Sequence, residues 1–341
     1  MLVPVGTVRE LAEGILVANG IPADHARIQA GLFVEAELRG IPSHGLLRLR
    51  RVVERIHAGL SVPGATGVQT WTARCFLSVD GARGLGPVVA MAALDTIVPR
   101  AQEDGIALAA IRDTNHLGAL AYYAEHVARL GLVCIALTIS EALVHPWGGR
   151  KAMIGTNPIA IGVPADPRPM VLDMATGLVS MGKIHDHANR GLPIPPGWAL
   201  DAAGNPTTDA NAAKEGAIAP FGGPKGYALG LAFEVLVASL AESAIGTGVK
   251  GTLDSTNVCN KGDIFIVIAP RHAEAAKRLV TGYLAEIRGT APADPGSPVL
   301  APGDRAYATR QRSLREGIKL DDGLWADLQD LAGASRKERL P

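Results

Sequence analysis

The chain has 341 residues, of which 48% are hydrophobic and 19% charged, enough for a large core and about two domains. Its 33 basic and 33 acidic residues balance and only 4% are aromatic, which argues against nucleic-acid binding. The N-terminus lacks the basic start and apolar core of a signal peptide. The longest apolar helical stretch, 226–248, contains Glu234 and Glu242, which predicts a buried helix rather than a membrane span. We therefore expect a cytoplasmic protein.

The first part of the chain carries the pattern of three helices. Residues 7–10 have the sequence of a capping box, and Gly20 ends the helix that they begin. A second helix is predicted over about 24–39. A third follows the turn at 43–45 and ends near Gly59.

The middle of the chain alternates between strands and helices after a Pro- and Gly-rich linker at 61–67. Short apolar runs predict strands at 68–73, 75–79, 106–111, 132–139, 159–163, 170–172 and 264–268. Helical patterns lie at about 86–103, 118–130, 226–244, 272–287, 305–316 and 321–332. The polar segment 182–213 is predicted to be irregular and to serve a function or cover a site. The first and last helical segments are expected to pack together.

A glycine-rich motif at 81–86 follows a predicted strand and opens a helix, as a dinucleotide-binding turn would. Its order is G-x-x-G-x-G, whereas the fingerprint is G-x-G-x-x-G, in which the middle glycine lets a pyrophosphate approach the backbone. The acidic residue expected later is also missing, because Asp95 and Asp104 lie within and at the end of the predicted helix. We interpret the motif as an ordinary strand-to-helix turn rather than a Rossmann site.

The turn at 43–45 carries residues suited to a small carboxylic acid. His44 and Arg48 are four residues apart, so on a helix they share one face, and Ser43 could cap that helix and bind the imidazole. An imidazole moves a proton near neutral pH, and a guanidinium holds a carboxylate by two parallel hydrogen bonds. This set suits a dehydrogenase of 2-oxo or 2-hydroxy acids. The alternative is a surface turn with a solvated histidine and arginine.

Other polar residues stand near strand ends, where ligands gather in α/β layers. His116 follows the strand at 106–111, Ser140 ends the strand at 132–139, and Thr156 lies in a G-T-N-P turn. Each could instead serve a structural turn or, for His116, a helix cap. The segment 185–187, His-Asp-His, has no further Cys or His at a suitable spacing, so we expect a solvated loop and no metal.

Together and in order, these motifs resemble the malate/L-lactate dehydrogenase family that lacks a Rossmann fold. Its members include sulfolactate, ureidoglycolate and diketogulonate dehydrogenases and cyclic imino-acid reductases. The resemblance covers nearly the whole chain and rests on residues 43–45 with Arg48, 114–118, 155–158, 173–176, 195–201 and 223–226.

The resemblance implies a mixed α/β (α+β) fold with two domains. A helical domain formed from both chain ends, 1–66 and 304–341, would contribute to the substrate site and the dimer. A non-Rossmann NAD(P)-binding domain over 67–303 would surround a largely antiparallel sheet and include the long loop at 182–213. A tight homodimer, a small anionic substrate and NAD or NADP, with NAD favoured, are also implied.

The resemblance further assigns roles to residues of this chain. His44 and His116 match the proposed acid/base histidines, either of which could hold that role, and Ser43 matches a residue that orients His44. Arg48 and Thr156 match substrate contacts. The residues that match cofactor contacts are Ser140, Met174, Ala175, Thr176, Lys225, Gly303, Asp304 and Arg305.

One departure from the family pattern bears on the substrate. Lys183 stands where we expect an aspartate in the imino-acid reductases. A Ser–His–Asp relay would then be incomplete, which favours 2-hydroxy acids such as malate, lactate or sulfolactate. A cyclic 2-imino-acid reductase is the first alternative, and a non-catalytic binding protein on the same fold is the second. The basic residues Arg50, Arg51, Arg150 and Lys151 could bind a second anion of the substrate or be surface charges.

Overall fold

The computed structural model describes residues 1–252 and 254–337. The helices are α1 (Val5–Ala18), α2 (Ala23–Leu38), α3 (Leu49–His57), α4 (Gly86–Asp104), α5 (Ala121–Arg129), α6 (Met181–Asn189), α7 (Ala210–Lys214), α8 (Pro224–Ala241), α9 (Ala273–Gly289), α10 (Asp304–Glu316) and α11 (Asp322–Lys337). The strands are β1 (Leu2–Val3), β2 (Val68–Ala73), β3 (Phe76–Asp80), β4 (Ile106–Arg112), β5 (Val133–Thr138), β6 (Ile159–Val163), β7 (Met170–Met174), β8 (Ala199–Leu200), β9 (Pro206–Thr207), β10 (Ala217–Ile218), β11 (Gly262–Ile268) and β12 (Ile318–Lys319).

The largest sheet in the described part of the chain has seven strands in the order β2-β3-β4-β11-β5-β6-β7. Within it, β3 and β4 pair in parallel, and the other neighbours pair antiparallel. Helices α4 and α5 pack against one face of this sheet, and α8 packs against the other. The predicted largely antiparallel, non-Rossmann sheet is confirmed.

The two ends of the chain meet, as the sequence predicts. Strand β1 pairs with β12, and α1 packs against α11. Arg310 on α10 donates two hydrogen bonds of 2.8 Å to the Glu35 carboxylate on α2. These contacts form the helical part from both chain ends. The exact boundaries at 66 and 304 stay a prediction.

Two helix starts differ from the sequence prediction. Helix α1 begins at Val5 behind Pro4, with no side-chain cap, so the predicted capping box is wrong. The ring of Pro4 presets its backbone, and its carbonyl accepts the first helical hydrogen bond from Val8. The segment after residue 42 forms two 3₁₀ turns, Pro42–His44 and Leu46–Arg48, before α3 begins. Ser43 therefore does not cap a helix.

The segment 182–213 contains regular helices and strands, which corrects the prediction that it is irregular. It contains most of α6, the antiparallel strands β8 and β9, and part of α7. Its scattered apolar residues form a small core with residues of neighbouring loops, which includes Ile184, Ile194, Ala213, Val144 and Ile218. These residues are too widely spaced for a periodic pattern, so the sequence hides the order that their burial produces.

Helix α8 also corrects a prediction, because only a third of it is buried. Glu234 is buried and accepts hydrogen bonds from the backbone of Gly155 and Gly246. Apolar side chains occupy the exposed side: Leu229, Leu231, Val235 and Leu236. By length and composition alone, α8 is the one helix among the described residues that could cross a membrane.

Candidate active site

The turn that carries His44 is shaped by a close approach to Gly45. A Cβ built on Gly45 would lie 2.2 Å from a carboxylate oxygen of Glu37. That same oxygen accepts a hydrogen bond of 2.9 Å from the backbone of Leu46. A Cβ at this position would push the Glu37 carboxylate out of this hydrogen bond. Gly45 lies between the two 3₁₀ turns, so residues 43–44 and residue 48 are on different turns.

Ser43 connects His44 to Arg48. Its hydroxyl lies 3.0 Å from Nδ1 of His44, and its carbonyl accepts a hydrogen bond of 2.8 Å from Nε of Arg48. Arg48 forms no ion pair with a carboxylate among the described residues. The sequence predicts that His44 and Arg48 share one face of a helix. In the structure they lie on separate turns, and the Ser43 carbonyl holds Arg48 near His44 instead.

His116 lies beside His44, with the ring centroids 5.5 Å apart and the planes tilted by 33°. Its turn packs against Gly86, because a Cβ built there would lie 2.4 Å from the His116 carbonyl oxygen. Asn115 donates hydrogen bonds of 2.8 Å to the carbonyls of Arg83 and Gly84. The glycine-rich motif is therefore a turn that supports His116, as well as a strand-to-helix connection.

Both imidazoles are held neutral. Burial, reinforced by the Arg48 charge, lowers the pKa of His44 from 6.5 to about 4. Burial also lowers the pKa of His116 well below its usual value, with Arg48, His44 and Lys261 adding to the effect. An anion bound beside Arg48 would oppose this effect and raise the pKa of both rings.

The two histidines differ in what their Nδ1 atoms can do. Nδ1 of His116 accepts a hydrogen bond of 3.0 Å from the backbone N–H of Gly118, so the neutral ring carries its proton on Nε2. Protonating Nδ1 would break that bond. Nδ1 of His44 instead faces a hydroxyl, which can either donate or accept. Of the two rings, His44 is the one that can become an imidazolium without losing a partner.

A second group of predicted residues forms one hydrogen-bonded cluster at the ends of β5 and β7. The Thr156 backbone N–H donates to Oγ of Ser140 at 3.1 Å. The Thr176 hydroxyl donates to the Thr156 carbonyl at 2.9 Å. Next to Ser140 in this cluster, Glu141 accepts a hydrogen bond from the Thr252 backbone and acts electrostatically on Arg48. Arg48, His116 and Thr252 line one cleft, called here the cleft beside His116.

The comparisons with known proteins agree with this architecture. The sequence profile of the malate/L-lactate dehydrogenase family matches residues 3–329. The chain is 38% identical over 328 residues to a malate/(S)-sulfolactate dehydrogenase of Methanothermus fervidus, covering 95% of each protein. It is 34% identical over 329 residues to a Δ1-pyrroline-2-carboxylate reductase of Ancylobacter novellus, again covering 95% of each. The crystal structure of a dehydrogenase from Sinorhizobium meliloti superimposes with a TM-score of 0.94 at 52% identity, covering 97% of this chain and 98% of that one.

The chain belongs to the malate/L-lactate dehydrogenase family. As a member, it is an oxidoreductase that uses a nicotinamide cofactor. The start of α8 fits the anionic part of such a cofactor, because Gly223 precedes the helix without a capping side chain and Lys225 is exposed on its first turn. Helix N-termini attract phosphate through their free N–H groups and their dipole. Ala175, which is small and exposed, and the half-buried Met174 lie next to the Thr156 cluster.

The predicted contact segment at 303–305 forms the turn into α10, and a Cβ built on Gly303 would lie 2.8 Å from the carbonyl oxygen of Val171 on β7. The Asp304 carboxylate pairs with Arg168 and Arg288 and accepts the backbone N–H of Ala301. This network pulls the pKa of Asp304 down to about 2, mainly through Arg288. Asp304 therefore anchors the start of α10, while Arg305 is exposed.

The predicted basic residues divide between the cleft and the surface. Arg50 pairs with Asp327 on α11, and Arg150 binds the carbonyl of Gly204. Arg51 and Arg55 both line the cleft beside His116. No motif in the sequence singled out Arg55. The spacing Arg48, Arg51, Arg55, a repeat of three and four residues, is the signal that could have found it.

Two residues of the segment 185–187 have side-chain contacts: Asp186 accepts a hydrogen bond of 3.3 Å from Arg190, and His187 makes two. Its Nδ1 lies 2.8 Å from the Pro193 carbonyl oxygen, and its ring packs edge-on against Trp198.

Proposed function

We propose that this protein transfers a hydride between the nicotinamide and C2 of a small 2-hydroxy or 2-oxo acid. One observation carries the proposal: two neutral imidazoles 5.5 Å apart lie beside Arg48, a largely buried guanidinium. In such a site one imidazole can carry a proton, the other can donate a hydrogen bond, and the guanidinium can bind a carboxylate by two parallel hydrogen bonds. When bound, the cofactor supplies or accepts the hydride.

His44 is the proton carrier in this proposal, and Ser43 positions it. In the direction of reduction, the carboxylate of the substrate binds Arg48 and offsets its charge, which raises the pKa of His44. The imidazolium donates from Nδ1 to the Ser43 hydroxyl and gives the Nε2 proton to the C2 oxygen of the substrate. In the direction of oxidation, Nε2 takes that proton back.

His116 stays neutral and donates from Nε2 to the same oxygen. The Gly118 N–H bound to its Nδ1 fixes this tautomer, so the ring polarises the carbonyl without exchanging a proton. Thr156 is a further contact to the substrate. Ser140, Met174, Ala175, Thr176, Lys225 and the segment 303–305 are proposed to contact the cofactor, with Lys225 and the start of α8 next to the pyrophosphate. NAD is the favoured form of the cofactor.

A reductase of cyclic 2-imino acids is the second candidate, because one relative has that name. Against it stands Lys183, which is exposed at the start of α6. The neighbouring Gly182 lies close to Ser43, since a Cβ built there would be 3.7 Å from the Ser43 Cβ. At this point the chain has a lysine where a Ser–His–Asp relay would need a carboxylate. A non-catalytic binding protein is disfavoured by the intact set of two histidines and Arg48.

A substrate panel separates these functions. The purified protein is assayed with oxaloacetate, pyruvate, 2-oxobutyrate, Δ1-pyrroline-2-carboxylate and Δ1-piperideine-2-carboxylate, each with NADH and with NADPH, at the nicotinamide absorbance. We expect turnover of 2-oxo acids, with NADH the better cofactor. Turnover of the cyclic imines alone would select the reductase, and cofactor binding without any turnover would select the binding protein.

We further propose that the protein is a cytoplasmic homodimer in which α8 takes part in the interface. Its exposed Leu229, Leu231, Val235 and Leu236 form an apolar face of a kind that monomeric soluble proteins rarely leave uncovered. A second copy of this chain would cover it.

A further inference from the structure

The buried side of α8 carries a carboxylate to which the proposed reaction gives no role. Glu234 is 1% exposed, and three N–H donors surround its two oxygens. Oε2 accepts from the backbone of Gly155 at 3.0 Å and from the side-chain amide of Asn157. Oε1 accepts from the backbone of Gly246 at 2.8 Å. These donors require two accepting oxygens, because a side-chain amide at this position would turn its own N–H groups towards a donor.

Two of the three donors lie on either side of Thr156. Gly155 precedes this residue and Asn157 follows it, so Glu234 holds the turn at both ends. The Asn157 amide also donates to the Gly230 carbonyl at 3.0 Å, which is a second connection to α8. Asn157 is fully buried with a φ of 35°, a left-handed conformation that asparagine adopts more readily than most residues. The turn at 155–157 is therefore fixed on α8.

The backbone of Thr156 is fully hydrogen-bonded, whereas its hydroxyl is not. The N–H donates to Oγ of Ser140 at 3.1 Å, and the carbonyl accepts from the backbone and the hydroxyl of Thr176 at 2.7 and 2.9 Å. The Thr156 hydroxyl lies 3.4 Å from Oγ of Ser140, at the long limit of a hydrogen bond. A hydroxyl has one donor and two acceptor sites, so this one can still bind a ligand.

We propose that Glu234 is a positioning residue for substrate binding: it fixes the turn at 155–157 on α8 and thereby places the Thr156 hydroxyl against the substrate. The inference rests on the proposed function, in which Thr156 contacts the substrate. His44, Arg48 and His116 are held by other contacts. Loss of Glu234 should therefore weaken substrate binding and leave proton transfer in place, which raises KM without lowering kcat.

Glu234→Gln tests this role, because it keeps the size of the side chain and replaces one accepting oxygen by a donor. KM for oxaloacetate and for pyruvate should rise about tenfold, the usual effect of losing one hydrogen bond to a charged ligand. In the same variant, kcat should stay within about threefold of the wild type. Glu242→Gln is the matched control, since it removes an equal charge from the end of α8, where Glu242 is exposed and pairs with Arg112. It should keep the wild-type KM.

A double-mutant cycle with Thr156→Val distinguishes positioning from general damage. Valine keeps the shape of threonine and removes the hydroxyl, so this variant alone should also raise KM. If Glu234 acts through that hydroxyl, adding Glu234→Gln to Thr156→Val should change KM by less than about twofold, whereas independent effects would multiply to about 100-fold.

Asn157→Gly keeps the test decisive if Glu234→Gln does not fold. Glycine accepts the positive φ without strain, and the change removes the amide that connects Glu234 and Gly230. Thermal unfolding shows whether each variant is folded. Asn157→Gly should raise KM with kcat preserved, and this effect should also disappear in the Thr156→Val background.

Three results would overturn the assignment: a wild-type KM in a folded Glu234→Gln or Asn157→Gly variant, a loss confined to kcat, or effects that multiply in the double variants. Failure of the proposed function would look different, because the wild type would then reduce neither 2-oxo acid. The substrate contact of Thr156, and with it this inference, would then be wrong.

Discussion

Gly86 offers the sharpest test of how the fold positions His116. Helix α4 begins at this residue, and a Cβ built on it would lie 2.4 Å from the His116 carbonyl oxygen and 2.5 Å from that of Asn115. Non-bonded heavy atoms settle at about 3.5 Å, so Gly86→Ala must move this backbone by about 1 Å. Both contacts are with backbone atoms, which cannot rotate away as a side chain could.

Such a shift should reach the chemistry through the His116 ring. A misplacement of about 1 Å can cost a factor of about 100 in rate, so we expect kcat for 2-oxo acid reduction to fall by roughly that factor. The start of α8 and the Thr156 cluster are untouched, so the Kd for NADH should stay within about twofold of the wild type. Steady-state kinetics measure kcat, fluorescence titration measures the Kd, and thermal unfolding shows whether the variant is folded.

Gly14→Ala is the matched control. A Cβ built on Gly14, within α1, would meet nothing within 4 Å, and alanine favours a helix by up to about 1 kcal/mol over glycine. This variant should keep the wild-type kcat and melt no earlier. A folded Gly86→Ala variant with kcat near the wild-type value would refute the argument that the glycine-rich turn positions His116 for catalysis.

Three further predictions address the site, its titration and the surface. Arg48→Lys keeps the charge but cannot form two parallel hydrogen bonds with a carboxylate, so kcat/KM for 2-oxo acids should fall at least about tenfold. Wild-type kinetics in this variant would mean that Thr156, and not Arg48, binds the substrate carboxylate. Because folding lowers the pKa of His44 from 6.5 to about 4, the unfolded chain takes up this proton first as the pH falls. The free energy of unfolding should therefore fall between about pH 6.5 and pH 4, by up to about 3 kcal/mol from this residue. Denaturant titrations at both ends of that window should show a smaller loss in His44→Gln, and an equal loss would contradict the cause assigned to the shift. Val235→Glu on α8, where Val235 is 50% exposed, should convert the dimer to monomers in light scattering, and an unchanged mass would remove α8 from the interface.

The periodic parts of the fold could be predicted from the sequence. Strand β6 matches its predicted bounds, and α4 and β11 are within two residues of theirs. Prolines flank the apolar run of β6, and glycines stand at the start and just after the end of α4. The neighbouring positions of His44 and His116 follow from the family resemblance, and the structure brings them together. These features depend on local patterns or on motifs that survive in the sequence.

Other features depend on contacts between distant residues. The two 3₁₀ turns around Gly45 follow from the Glu37 carboxylate nearby in space. The buried position of Arg55 depends on hydrogen bonds to the carbonyls of Asp254 and Asn257, about 200 residues further along the chain. Helix α8 looks buried in the sequence because its exposed side is apolar as well. Patterns in a short stretch of sequence cannot predict such contacts, because the residues that make them are far apart in the chain.

Direct transfer of deuterium tests the central claim most closely. The enzyme is given oxaloacetate or pyruvate with NADH that carries deuterium at the transferring C4 position, and the product is examined by mass spectrometry and proton NMR. We predict a 2-hydroxy acid with one deuterium on C2. A product without deuterium on C2, or no product while a cyclic imine is reduced and labelled, would contradict the account.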